Sequence, residues 1–117
     1  MPTRPFTLAL IQMLVEGGRP QANLARARDR IAQAARAGAE LAVLPEALDL
    51  GWTHDTSLAE RIPNGNPCRQ LREAARQHRL HVCAGLVERS GDRCYNAALL
   101  IGPEGDILLH HRKLNDR

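Results

Sequence analysis

Residues Gly38–Glu46 read Gly-Ala-Glu-Leu-Ala-Val-Leu-Pro-Glu, and this stretch decides the fold. Leu41–Leu44 is a continuous apolar run, the pattern of a parallel strand covered on both faces rather than the alternation of a half-exposed one. Pro45 ends the run, because proline has no N–H to donate to a ladder. Glu46 is thereby placed just past the strand's C-terminal end. Upstream, Gln21–Ala37 carries helical period, with Leu24, Ala27, Ile31 and Ala34 or Ala35 on the inward stripe and Arg26, Asp29, Arg30 and Gln33 facing water. Gly38 supplies the C-terminal stop. Before the helix, Thr7–Met13 is an apolar run bounded by Pro5 and Gly17-Gly18, and it reads as a buried strand.

Downstream of Glu46 a long connection, Ala47–Asn66, carries Trp52 and His54. The two fit a pocket wall or, for Trp52, a core anchor. Asn66-Pro67 reads as a helix cap followed by proline at the first helical position. Leu71, Ala74, Ala75 and His78 mark the inner face of that second helix. His81–Val87 is a third strand, Ser90-Gly91-Asp92-Arg93 a hairpin turn, and Tyr95–Ile101 a fourth strand. Pro103–Asp106 turns the chain again into a fifth strand, Ile107–Arg112. The expected order is β-α-β-α-β-β-β, an α/β mixed sheet with both helices on one face.

The 117 residues suit one domain at most. With 44% hydrophobic but only 3% aromatic positions, the core must be built from Ala, Leu, Val and Ile. A net charge of +3 invites a nucleic-acid reading, yet the arginines are scattered from Arg4 to Arg117 and interleaved with thirteen acids. That is a solvated surface, and nucleic acid is not expected as a partner. Three cysteines without framework spacing point to reduced thiols and a cytoplasmic setting. The hairpin register does not bring Cys83 opposite Cys94. Phe6–Val15 mimics a short signal core, but Gln12 interrupts it and no small-residue cleavage site follows. No stretch approaches the length of a membrane span, so no membrane partner is expected.

Direction counting brings two chemical groups together. Helical crossovers make the first three strands parallel, and two hairpins restore that direction in the fifth strand. The C-terminal ends of strands two and five then share one edge, where ligands bind in open α/β sheets. Glu46 follows one strand and Lys113, the sole lysine of the chain, follows the other. Arg cannot deprotonate and Lys can, which singles Lys113 out among fifteen arginines. A buried Glu–Lys pair suits a base and an oxyanion stabiliser. A strand-end Glu and a solvated Lys are also the ordinary structural reading of each residue alone. His110 and His111 point to opposite faces and cannot share a metal, and His78 and His81 lack a third ligand, so no metal site is expected. Cys68, Cys83 and Cys94 have no base partner evident.

Taken together, these motifs resemble the carbon–nitrogen hydrolase (nitrilase and amidase) superfamily. The resemblance rests on Asn23-Leu24 through Ala34, Gly38–Glu46, Ala84-Gly85-Leu86-Val87-Glu88-Arg89, Tyr95-Asn96-Ala97-Ala98, Gly102-Pro103-Glu104-Gly105 and His111-Arg112-Lys113. It covers nearly the whole chain, in the family's order. It implies the N-terminal portion of a four-layer α-β-β-α sandwich and a Glu-Lys-Cys triad, with Glu46 as general base and Lys113 beside the developing oxyanion. It also implies a small-molecule amide, carbamoyl or nitrile substrate, no organic or metal cofactor, and a homo-oligomer.

The family's cysteine comes after the lysine, where only Leu114, Asn115, Asp116 and Arg117 remain here. A second family glutamate between the two is missing as well. Residues 1–117 are therefore expected to be the incomplete N-terminal part of a single hydrolase domain, inactive alone. Loss of a triad nucleophile costs on the order of a million-fold in turnover. Apolar residues in Leu99–Ile101 and Ile107–Leu109 are expected to face a missing second sheet. The alternative is a stand-alone, non-catalytic module that associates through that open sheet face.

Overall fold

In the computed structural model, which describes residues 4–116, seven elements follow in the expected order. They are β1 (Leu8–Leu10), α1 (Pro20–Arg36), β2 (Leu41–Val43), α2 (Asn66–His78), β3 (His81–Ser90), β4 (Arg93–Ile101) and β5 (Ile107–Asp116). The strands form one sheet in chain order. β1, β2 and β3 are parallel, and β3, β4 and β5 pair antiparallel, so β5 runs in the direction of the first three. Among the described residues, no helix is long and apolar enough to cross a membrane.

Side-chain alternation divides the sheet into two faces. Ala42, Val82, Ala84, Leu86, Leu99 and Ile101 turn to the helices and are buried. Leu24, Ala27 and Ile31 of α1 and Leu71, Ala74 and Ala75 of α2 pack with them in one core. Small residues on both helices allow close approach, and the leucines and isoleucines fill the space between. Fully burying each large aliphatic side chain is worth about 1.5–3 kcal/mol.

Among the described residues no helix covers the opposite face, where Val87 is the one buried side chain of β3, against Ala47, Leu50 and Ala59. Leu8, Leu10 and Leu109 are exposed on it, Leu10 to 75%, and Leu100 is only half-buried. The expected open face is present, with a different roster. Leu99 and Ile101 point into the core, whereas Leu100 and Leu109, opposite one another, carry the exposed side. β2 is likewise covered on one face only, since Leu41 and Val43 are half-buried there.

β3 and β4 extend further into their hairpin than expected, to Ser90 and from Arg93, and three other boundaries differ for a local reason. β1 is shorter than Thr7–Met13, because its only neighbour is the three-residue β2, although Ile11 N–H still donates to Val43 C=O at 2.8 Å. Asn66 is the first helical residue of α2 rather than its cap. Gly65 takes the cap position, and the Glu60 carboxylate accepts the Asn66 N–H at 3.0 Å. β5 continues past Arg112 to Asp116, so Lys113 lies within the strand. Gly38 (φ 86°) closes α1 as expected, and Gly91 (φ 63°) forms the tip of the β3–β4 hairpin. The cysteines are free, with Cys83 opposite Leu100 and Cys94 opposite Arg89.

Candidate active site

The segment after β2 is laid onto β3 by backbone alone. Leu44 N–H donates to Cys83 C=O, Gly85 N–H to Pro45 C=O, and Leu48 N–H to Gly85 C=O, at 2.8, 3.1 and 2.9 Å. This contact requires Gly85. A Cβ there would lie 2.7 Å from Glu46 Cα and 3.0 Å from Ala47 N, inside van der Waals contact. Ala47 then turns the chain with φ 47°, a left-handed conformation that strains an L-residue. Such strain persists only where the surroundings fix it, and here it turns the chain immediately after Glu46.

Asp49 and Asn23 hold the far end of the turn. The buried Asp49 carboxylate accepts the Val87 N–H at 3.0 Å. Asn23, buried on α1, donates through Nδ2 to the carbonyls of Glu16 and Asp49 and accepts the Glu16 N–H. One amide thus ties the segments following β1 and β2 to the first helix.

Glu46 and Lys113 meet across the open face. Lys113 Nζ donates to Glu46 Oε1, as direction counting anticipates. The pair is not buried as expected: the Glu46 and Lys113 side chains are 55% and 41% exposed, because no second layer covers this face among the described residues. Beside it lies a cavity of about 100 Å³ lined by Glu46, Lys113, Gly85, Cys83, Asn96 and neighbouring alanines. Trp52 and His54 do not line it, and Trp52, 70% exposed, anchors no core.

The cysteines divide by environment. Burial pushes the Cys68 thiol up to about 11, so it is protonated and inert at neutral pH. Cys94 packs against the small cluster of Ala47, Leu50, Ala59 and Val87. Cys83 alone shares the cavity, half-buried, with no hydrogen bond to Glu46 among the described residues.

A second acid organises the other side of β5. Glu88 on β3 is 2% exposed, and its carboxylate takes three bonds. Arg112 Nε and Nη2 each approach at 3.0 Å as a fork, and His110 Nε2 lies at 2.8 Å. The Arg112 guanidinium also sits 4.9 Å from the Tyr95 ring centre. Burial works to raise the Glu88 carboxyl, but the Arg112 and His110 hydrogen bonds and charges outweigh it and hold its pKa below the usual range. His110 and Arg112 are thereby fixed on the helix side, leaving His111 and Lys113 on the open side. Sequence reasoning did not find this role of Glu88, because the expected third strand ended at Val87; the signal is the two-residue period that runs on from Val82, Ala84 and Leu86 to Glu88.

An acid and a lysine meet on the open face of an α/β sheet layer, over a glycine that admits the backbone. The family follows from comparison. The carbon–nitrogen hydrolase model matches residues 7–116, and the chain belongs to that family, as its N-terminal part. It is 35% identical over 105 residues to the nitrilase of Pyrococcus abyssi, covering 86% of this chain and 40% of that protein. It is 35% identical over 113 residues to the omega-amidase of Bos taurus, covering 94% and 40%. A solved structure of a point mutant of the amidase from Nesterenkonia sp. AN1, showing Michael addition of acrylamide at its active-site cysteine, superimposes with a TM-score of 0.82 at 23% identity, over 95% of this chain and 45% of that one. The chain spans about 40% of the length of the curated relatives it matches.

The strain at Ala47 yields a stability prediction. Ala47→Gly relieves a left-handed L-residue worth about 1–2 kcal/mol and adds chain entropy worth about 0.5–1 kcal/mol, so it is expected to be neutral or slightly stabilising. Ala47→Val is expected to be clearly destabilising, since a β-branched side chain fits neither the φ nor the buried position. Chemical denaturation of the two variants checks the ordering; equal stability would remove the strain argument.

Proposed function

We propose that Glu46 and Lys113 are the general base and the oxyanion-stabilising cation of a hydrolase acting on non-peptide carbon–nitrogen bonds of small amides, carbamoyl compounds or nitriles. The observation that carries this reading is the Glu46–Lys113 ion pair, assembled over Gly85 from two distant segments. The matched relatives are a nitrilase and an omega-amidase, which agrees with that substrate class. In this scheme Glu46 takes the proton of a cysteine thiol as sulfur attacks the carbonyl carbon. Lys113 stabilises the oxyanion of the tetrahedral intermediate, and Glu46 returns the proton to the departing amine. Water activated by the same carboxylate then cleaves the thioester.

None of the three cysteines pairs with Glu46, so the reading places the nucleophile outside residues 1–117. Those residues then form the N-terminal part of one domain, without hydrolytic activity by themselves. Free thiols agree with a cytoplasmic protein, and the exposed leucines of the open face agree with association.

The test is turnover of small amides and nitriles by the protein at its natural length. Glu46→Gln is expected to lower kcat by about 10²–10⁴-fold. Lys113→Ala is expected to lower it by about 10²–10³-fold. Retained turnover in either variant sinks the assignment. Abolished turnover in Cys83→Ser would relocate the nucleophile into this chain.

A second reading, a non-catalytic module pairing through the open face, is favoured by the exposure of Leu8, Leu10 and Leu109. It requires a stable dimer without hydrolysis. Sedimentation showing a monomer removes it.

A further inference from the structure

Asn96 lies on the open side of β4 and lines the same cavity as Glu46 and Lys113. Its side-chain Oδ1 is buried and has no hydrogen-bond partner. Buried carbonyl oxygens are nearly always paired, so an orphan beside a candidate active site points to a missing donor. The strand pairing supports this. Between β4 and β5 the register jumps from Tyr95–Asp116 to Ala97–Arg112, so three residues of β5, Lys113 among them, stand opposite Asn96 alone. The irregularity releases the lysine from the regular ladder beside the amide, as bulges near active sites do.

The chemistry of the vacant partner follows from the two that are filled. Lys113 and Glu46 already satisfy one another, which leaves Asn96 Oδ1 as an acceptor in need of a donor. A primary carboxamide offers its C=O to a cation and its –NH₂ to an acceptor. An ester or a nitrile has no N–H to give. We propose that Asn96 accepts a hydrogen bond from the –NH₂ of a primary carboxamide and so selects amides over esters and nitriles. The proposal rests on the hydrolytic reading of Glu46 and Lys113.

The experiment compares propionamide with methyl propionate, two substrates of similar size, using the protein at its natural length. Asn96→Leu, which keeps the branched shape and removes the acceptor, is expected to reduce kcat/KM for the amide by about 10- to 100-fold. The ester value is expected to fall by a clearly smaller factor. An equal fall for both substrates, or none for the amide, overturns the proposal.

A binding measurement on the unmodified ¹⁵N-labelled protein needs neither turnover nor the variant. Propionamide is expected to shift the Asn96 side-chain NH₂ signal saturably, and methyl propionate to leave it in place. No shift, or the same shift with both, overturns the proposal. If the protein hydrolyses neither substrate, the hydrolytic reading falls, and the titration still decides the amide contact.

Discussion

Arg112→Met is expected to destabilise this protein more than Glu88→Gln, although the glutamate is the buried member of the pair. The asymmetry comes from what each change leaves behind. Glu88→Gln removes the buried charge, and Arg112 and His110 are exposed enough to regain water. The remaining loss is that of charge-assisted hydrogen bonds, about 1–3 kcal/mol. Arg112→Met instead strands a carboxylate at 2% exposure with His110 as its remaining partner. Uncompensated buried charge is the costlier outcome. Urea denaturation at neutral pH ranks the two variants, and the reverse order would remove the argument.

The same carboxylate sets a pH dependence. Its folded pKa lies below the usual value, so between the two pKa values the unfolded chain binds more protons and stability rises with pH. The contribution is fully present above the unfolded carboxylate range, near pH 4.3, and is lost as pH falls through the lower folded value. Glu88→Gln is expected to flatten that acid limb. A wild-type and a variant curve that stay parallel below pH 5 would place the titration elsewhere.

The second large effect is expected at Gly85. Gly85→Ala sets a methyl 2.7 Å from Glu46 Cα, and the obstruction is backbone, which cannot rotate aside. Overpacking of this kind costs about 1–3 kcal/mol, and relaxation would lift the 44–48 segment from β3. Glu46 rides on that segment, so the Glu46–Lys113 pair would open. The expected result is a joint loss of stability and of hydrolytic turnover, with a ¹³C-lysine signal moving as in Glu46→Gln. Lys113 is the sole lysine, so that signal is unambiguous. A stable Gly85→Ala variant with an unmoved lysine signal would show that the close approach is not needed.

The legible parts of this structure are those set by local pattern and chain direction. Apolar runs, the helical stripe from Leu24 to Ala34 and the two hairpin turns are local. Parallel crossovers followed by two reversals suffice to bring Glu46 and Lys113 together. The illegible parts depend on side chains meeting across strands that are not neighbours. Glu88 sits near a hairpin, beside Arg89 and Ser90, where an acid usually faces water. Its inward position acquires meaning only because Arg112 of β5 reaches it across β4, over the Tyr95 ring that stands opposite Glu88. Asn96 and Gly85 lie in stretches that resemble the family, but their roles need geometry: an atom without a partner, and a gap that no Cβ could occupy.

The alternation His110, His111, Arg112, Lys113 carries a hazard for folding. A one-residue slip of β5 would exchange the two faces, presenting Lys113 towards Glu88 and Arg112 towards Glu46. Both mispaired couples would still be an acid with a base, so charge alone hardly tells the correct sheet from the wrong one. Geometry does. Only a planar guanidinium can grip the sunken Glu88 carboxylate with two parallel bonds, and an ammonium there would forfeit one of them. The lone lysine in an arginine-rich chain is thereby kept at the cavity by a lock on the reverse of the sheet that it cannot itself fit.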